Sequence, residues 1–491
     1  MNAKKLISLL LALILASAVL LSCAQPDDMP DDPGNAETPD TPNEPDEPDV
    51  EEPFDIRKAL EAMPKSTFAG DEFLIAASST YENAFTIDQF PTGTEKTGAL
   101  VQDALFDRDA MMEEVFGIDI VYDDVLDSAM YGKIANTIRS GDDTYSLVLG
   151  SLARVTANMF SNTLLYDLNT VPHIDLTQPW WNKNSIDNFQ INDQIYMATG
   201  AITNRYVYSP YAVLFNQKLL SDHNLENPHV LVENDEWTLE KFSEMVEDTY
   251  TDLNANDKVD LEDYYGLAPA SDSETAWYFA CGASFLSKSE DSELTYTYLD
   301  DANTFILDDV IALYDSENVL KFQDTYDSNK AFREGRALFH STALCDITML
   351  NDMADEYGIV PMPKYDEYQK ELYSNANRYI STMAVIPSSV TDIDNVGLLV
   401  EALAMASQYT SLDKQYEQVL LNRQALDAHS KASLIAVVES TTYDLCYAFN
   451  FAGMPEGLRN IIKDGGSYAS YYATYDKSLP QALEDFLAHF E

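Results

Sequence analysis

The sequence predicts an α/β protein built on a parallel sheet with helices on its faces. Between residues 73 and 149, short apolar runs alternate with stretches of helical spacing, the order that a parallel sheet requires. The chain is 46% hydrophobic and 11% aromatic. That is far more apolar material than an acidic disordered chain carries, so a large core is expected. No period of about 20 to 50 residues recurs, which sets a solenoid aside. At roughly 150 residues per domain, the 491 residues correspond to about three domains or to two large ones with appendages.

Taken in order, the first element is an address. Lys4 and Lys5 precede the uncharged run Leu6 to Leu21, a positive start and an apolar stretch as in a secretory signal. The alternative, a transmembrane helix, needs about 20 residues to span comfortably. The run ends in Leu20-Leu21-Ser22-Cys23, which resembles the bacterial lipobox, although Leu21 is bulkier than the residue usual there. Cys23 is then the lipidated N-terminus and 1–22 the signal peptide. Residues 24 to 53 hold eight Pro and twelve Asp or Glu without Lys or Arg. Such a segment buries nothing and repels itself into an extended form. So 23–53 reads as an acidic, Pro-rich tether from the membrane and 54–491 as the folded part.

Charge narrows the partners. The chain has 29 Lys and Arg against 83 Asp and Glu, a net of -54. Without the two signal lysines and the twelve tether acids, 27 basic and 71 acidic residues remain, a net of -44. That sign excludes nucleic acid and disfavours anionic ligands unless a local basic pocket exists. Four cysteines, Cys23, Cys281, Cys345 and Cys446, are too few and too far apart for a disulfide framework or a zinc knuckle.

In the body, Phe73 to Ala77 reads as a buried strand opening into Ser78-Ser79-Thr80. A helix follows over 100–116 with Leu100, Ala104, Met111, Met112 and Val115 on one side. Ile118 to Tyr122 reads as a strand, Tyr131 to Ile138 as a helix, and Tyr145 to Leu149 as a strand closed by Gly150-Ser151. Ligands sit beyond the carboxyl ends of strands in such sheets. Ser78, Ser79, Tyr81, Gly150 and Ser151 are therefore candidate cleft residues, and ordinary turn chemistry is the alternative. Further on, Thr238 caps a helix whose apolar face is Leu239, Phe242, Met245 and Val246. Residues 274–325 are largely helical, 332–339 and 357–364 return to strands and turns, and the C-terminal third is helical again.

Four segments carry a family resemblance. Tyr211 to Leu220 looks like a first crossing strand with its helix, and Glu236 to Phe242 is similar to a W-T-hydrophobic-x-x-F helix start. Phe332 to Phe339 resembles an F-x-x-G-x-A-hydrophobic segment, and Tyr357 to Lys364 a G-hydrophobic-x-P-x-P turn. In order and separation, these resemble the substrate-binding lipoproteins of bacterial ABC importers, family 1 extracellular solute-binding proteins of maltose-binding type, over about residues 70 to 491. The resemblance implies a two-lobed periplasmic-binding-protein type II fold. Lobe one would be about 70–213 plus 331–380, and lobe two 214–330 plus 381–491. The chain would cross near 213–217, 326–331 and 380–386. It further implies a monomer that closes on a carbohydrate and delivers it to permease subunits, anchored by lipid on the outer face of the cell membrane.

No catalytic motif of the common kinds is present, and six scattered histidines lack ligand spacing. A secreted glycosidase-like enzyme, which needs two facing acids, is the alternative, as is a binding protein for peptides or other solutes. Aromatic residues suit a saccharide cleft because sugar rings pack on aromatic planes. Trp181, Tyr208 and Arg205 are candidates on this ground. Trp277 is another, because the resemblance implies a stacking tryptophan in lobe two. Finally, 252–263 matches a calcium loop, with Asp252, Asn254, Asn256, Asp260 and Asp263 as side-chain ligands and Lys258 through its carbonyl. Asp257 stands where such loops carry Gly, and a solvated acidic turn is the alternative.

Overall fold

The computed structural model describes residues 54–68, 72–81, 85–124, 127–160, 163–321, 325–422, 428–466 and 468–491. The signal, Cys23 and the tether lie outside the described residues. In chain order the strands used below are β1 (Glu72–Ala77), β2 (Asp119–Asp124), β3 (Leu147–Ser151), β4 (Tyr211–Asn216), β5 (Tyr265–Leu267) and β6 (Leu286–Lys288). They continue with β7 (Leu294–Tyr296), β8 (Ala337–Ala343), β9 (Tyr357–Pro361), β10 (Ser374–Asn375), β11 (Thr382–Val385) and β12 (Thr441–Thr442). The helices are α1 (Leu100–Phe116), α2 (Leu152–Asn158), α3 (Lys183–Phe189), α4 (Arg205–Tyr208), α5 (Leu239–Val246), α6 (Ser273–Ala280), α7 (Ile393–Tyr409), α8 (Leu445–Phe449) and α9 (Met454–Asp464).

Two four-stranded sheets organise the chain. The first has the order β11-β3-β1-β2. β1 is parallel to both β2 and β3, with Ile75 opposite Tyr122 and Leu147, while β11 runs antiparallel to β3. All five residues of β3 are buried, as expected for an inner strand covered on both faces. α1 ends at Gly117, whose φ of 68° lets its N–H reach the Glu113 carbonyl. α7 packs on α1. The second sheet has the order β9-β4-β8-β5, with β4 antiparallel to β8 and β9, and β5 parallel to β8. β4 and β9 approach so closely that a Cβ on Gly358 would lie 2.1 Å from the Phe215 ring. Thr238 accepts from the Lys241 N–H, and α5 buries Leu239, Phe242, Met245 and Val246.

The division of the chain between lobes differs from the expectation. Residues 331–380 were allotted to lobe one, yet β8 and β9 hydrogen-bond to β4 in the second sheet. Residues from 381 were allotted to lobe two, yet β11 pairs with β3 in the first. The chain therefore enters the second sheet at Tyr211 and rejoins the first at Thr382. A later passage lies between the helix Ser411–Asn422, which packs on α1, and the helix Ala428–Glu439, which packs on β9. An all-buried strand such as β8 or β9 carries no alternation that names its partner, so its sheet was not legible from composition.

Candidate functional site between the two sheets

The carboxyl ends of β1 and β3 are occupied by internal hydrogen bonds. The Ser78 carbonyl accepts from Arg205 Nη2 at 2.9 Å. Ser79 donates its hydroxyl to Asp124 at 2.9 Å, and the Ser151 N–H donates to the Tyr131 hydroxyl at 2.7 Å. Ser78, Ser79 and Ser151 are buried. Tyr81 pairs through its backbone with Phe85, and its side chain lies outside the described part. Arg205, at the start of α4, is also buried, and its charge lowers the Cys345 thiol beside β8 against the dominant rise from burial. The guanidinium thus fixes α4 to the end of β1 from inside.

The expected stacking aromatics lie elsewhere. Trp277 is fully buried in α6, with its ring centre 4.7 Å from that of Phe242 and its indole N–H donated to Ser341 at 3.2 Å. It fastens α6 to β8 and α5 and offers no free face. Trp181 and Trp180 donate their indole N–H groups to the two oxygens of Glu401, each at 3.0 Å, a buried clamp on α7. Tyr208 is buried as well, and burial pushes its hydroxyl pKa up. Of the sequence candidates, the structure brings together Ser78 and Arg205. It makes core residues of the tryptophans, because a wide apolar ring next to a helix is more readily absorbed into packing than left exposed.

A polar cluster that the sequence reading missed lies between the lobes. Arg378 precedes β11 and is buried. Its carbonyl accepts from the Ala153 N–H at 2.8 Å, which fixes it to α2. Its guanidinium donates to the Tyr447 carbonyl (3.1 Å), the Tyr379 hydroxyl (3.0 Å) and Glu456 (2.8 Å). The guanidinium lies 5.0 Å from the centre of the Tyr379 ring and 5.7 Å from that of Tyr447, within cation–π range. From lobe two, Asp272 precedes α6 in the left-handed conformation, with φ 71°, and accepts from Arg459 of α9. Tyr211 links the two sides, since its hydroxyl accepts from Asn377 at 2.9 Å and feels the charges of Asp272 and Glu274. One signal for this cluster was available. In a body with so few basic residues, an arginine four positions before a crossing strand is a marked choice.

A cavity of about 220 Å³ adjoins the far ends of α6 and α8, lined among others by Asn188, Phe279, Lys288, Tyr373, Tyr443 and Asp444. Lys288, on the β6–β7 hairpin, reaches the carbonyls of Asp187 and Gln190 at the C-terminal end of α3, where a cation offsets the helix dipole. Asp444 accepts from the N–H groups of Phe285 and Tyr447, each at 2.9 Å. Burial raises its carboxyl pKa to about 6.

The calcium-loop residues lie in lobe two before β5. Asp252 accepts from the N–H groups of Asn256 and Asp257, and Asn256 accepts from that of Lys258. Asp257 takes the left-handed conformation, with φ 56°, so the Gly position is filled by a residue that tolerates it less well. Asp260 accepts from Asn256 Nδ2 at 2.8 Å. Asp263 is fully buried. One of its oxygens accepts from the Asp260 N–H and the Tyr250 hydroxyl, and the other has no partner among the described residues. Among the described residues, no three His, Cys, Asp or Glu side chains converge as a metal group.

Neither a protein-family model nor a curated relative matches the sequence. Solved structures do. The chain is similar to the ABC substrate-binding protein Lmo0181 from Listeria monocytogenes, solved in complex with cycloalternan, with a TM-score of 0.51 and 12% identity over 86% of this chain and 99% of that one. It is similar also to the GacH receptor of Streptomyces glaucescens, solved unliganded and with acarbose, with a TM-score of 0.51 and 13% identity over 84% and 99% of the two chains. At these identities the likeness establishes architecture, and that architecture is the α/β, two-lobed fold of periplasmic-binding-protein type.

Proposed function

We propose that the protein is the substrate-binding component of an ABC importer, which captures a carbohydrate between its lobes and passes it unchanged to permease subunits. One observation carries this reading. Groups from the segment rejoining lobe one (Arg378, Tyr379), from lobe two (Asp272) and from the C-terminal helices (Tyr447, Glu456, Arg459) meet at one place. Hinge closure changes the spacing of such groups. The structural neighbours were solved with the saccharide ligands cycloalternan and acarbose, which supports carbohydrate as the solute class. The test is a thermal-shift and calorimetric screen of the purified protein with neutral and acidic sugars, peptides and polyols. A shift with peptides alone would sink the carbohydrate reading. Product formed from the bound sugar on prolonged incubation would favour the enzyme alternative.

The membrane anchor belongs to the same proposal. Among the described residues, no helix is long and apolar enough to cross a membrane, and attachment is proposed through Cys23. Two acyl chains hold stably where one holds weakly. Labelled fatty acid should enter the wild-type chain and not Cys23→Ala, and a wholly soluble, unlabelled wild-type protein would refute the anchor.

Calcium is proposed as a structural ion of the 252–263 loop, supported by the unpartnered Asp263 oxygen and by the three Asp carboxylates that repel one another without a cation. At free calcium about 100 times the dissociation constant, linkage is worth about 2.7 kcal/mol. Chelation is expected to lower the melting temperature without changing solute preference, and Asp252→Ala to abolish the response. Calorimetry on stripped protein that detects no binding at millimolar metal would return the loop to a solvated turn.

A further inference from the structure

The two arginines of the interlobe cluster are paired. Arg378 is neutralised by Glu456 at 2.8 Å, and Arg459 by Asp272. Glu274, in the first turn of α6, is buried at 5% exposure, and its Oε2 has no hydrogen-bond partner among the described residues. A buried carboxyl oxygen left without a partner is costly, and it can accept from a donor brought beside it. The neighbours that act on Glu274 are Asp272 in the loop before α6, Arg459 and Lys463 on α9, Tyr211 on β4 and Tyr314 on the helix Asp301–Asp315. Of these, Asp272 opposes its ionisation, while Arg459 and Lys463 favour it weakly.

Resting on the carbohydrate reading, we infer that Glu274 is a specificity-determining residue of the interlobe site, which accepts hydroxyls of an uncharged sugar and selects against anionic ones. Both arginines of the cluster already hold carboxylates, which leaves Lys463 as the cation near Glu274, opposed there by Asp272 and by Glu274 itself. An anionic ligand brought beside Glu274 would place like charges together in a medium of low dielectric. A neutral polyol supplies the donors that Oε2 lacks. Burial raises the Glu274 pKa to about 7. The accepting, ionised form therefore grows across neutrality, from about a tenth at pH 6 to about nine tenths at pH 8.

The experiment is calorimetry on the full mature chain with glucose, galactose, mannose and maltotriose beside glucuronate and galacturonate, from pH 6 to 8. Wild type is expected to bind a neutral member, about tenfold more tightly at pH 8 than at pH 6, and to leave the uronates unbound. Glu274→Gln should remain folded, lose at least about tenfold at pH 8 through the missing charge-assisted bonds, and bind without a pH slope. Glu274→Ala serves as a second variant, with melting curves as the folding control. If the neutral sugar binds Glu274→Gln with wild-type affinity and slope, the inference fails and the carbohydrate reading stands. Binding of a uronate in preference to its neutral counterpart has the same effect. Absence of binding to every sugar overturns both.

Discussion

Arg108→Ala is expected to cost the folded state about 3–5 kcal/mol, because it leaves one member of a buried ion pair alone. Arg108 and Asp109 lie side by side on α1, with side chains 2% and 8% exposed. Arg108 donates to Asp109 at 2.7 Å, to the Tyr122 hydroxyl on β2 at 2.8 Å and to Ser407 on α7 at 3.1 Å, and Tyr122 donates to the second Asp109 oxygen at 3.0 Å. Burial works against the guanidinium charge, but Asp109 and Tyr122 more than offset it and raise the Arg108 pKa. Without the guanidinium, the buried Asp109 carboxylate keeps, among the described residues, the Tyr122 hydroxyl as its side-chain donor. Chemical denaturation of the variant checks this, and a loss below about 1 kcal/mol would show the pair to be dispensable.

Warming at pH 5.5 should unfold the protein at a temperature at least about 5 °C above that at pH 8. Burial raises the carboxyl pKa of Glu274 and Glu401 to about 7, and of Asp346 and Asp444 to about 6, from ordinary values of 4.5 and 3.8. In the unfolded chain these acids ionise near their ordinary values. From about pH 4 to 7 the folded state therefore binds more protons at these four acids than it forgoes at His340, whose pKa burial lowers to about 4, and stability falls as pH rises through that window. Each pKa unit is worth about 1.4 kcal/mol. Below that window Asp123, Asp175 and Glu334, whose pKa values are lowered mainly by side-chain hydrogen bonds, reverse the slope. Glu401→Gln should flatten the alkaline limb, since its amide carries no charge to bury. A melting temperature that is level or rises from pH 5.5 to 8 would contradict the account.

Arg108 also shows where sequence reasoning stopped. The apolar spacing over 100–116 located the helix, but the residues that α1 buries are Val101, Leu105, Arg108, Asp109, Met112 and Phe116. Of the expected stripe, Met112 is buried, while Leu100, Ala104, Met111 and Val115 lie on the flank, half-buried. A charged pair in the buried face interrupts the pattern, and its neutralisation by Tyr122 and Ser407 depends on tertiary neighbours that spacing does not report. Strand β1, the Thr238 cap and the start of β4 were legible because their signals are local. Lobe membership of β8 and β9, the burial of Trp277 and the convergence on Arg378 were not, since each depends on partners tens to hundreds of residues away.

The burial of every tryptophan gives the protein an internal optical gauge. All four, Trp180, Trp181, Trp237 and Trp277, are at most 9% exposed. Their emission is expected to lie at short wavelength and to resist an aqueous quencher. All are enclosed by protein, so an emission change on adding sugar reports rearrangement around Glu401, around α6 or around Trp237 before α5. The planes nearest Arg378 belong to Tyr379 and Tyr447, so the indole emission gauges packing inside the fold rather than the rings of that cluster.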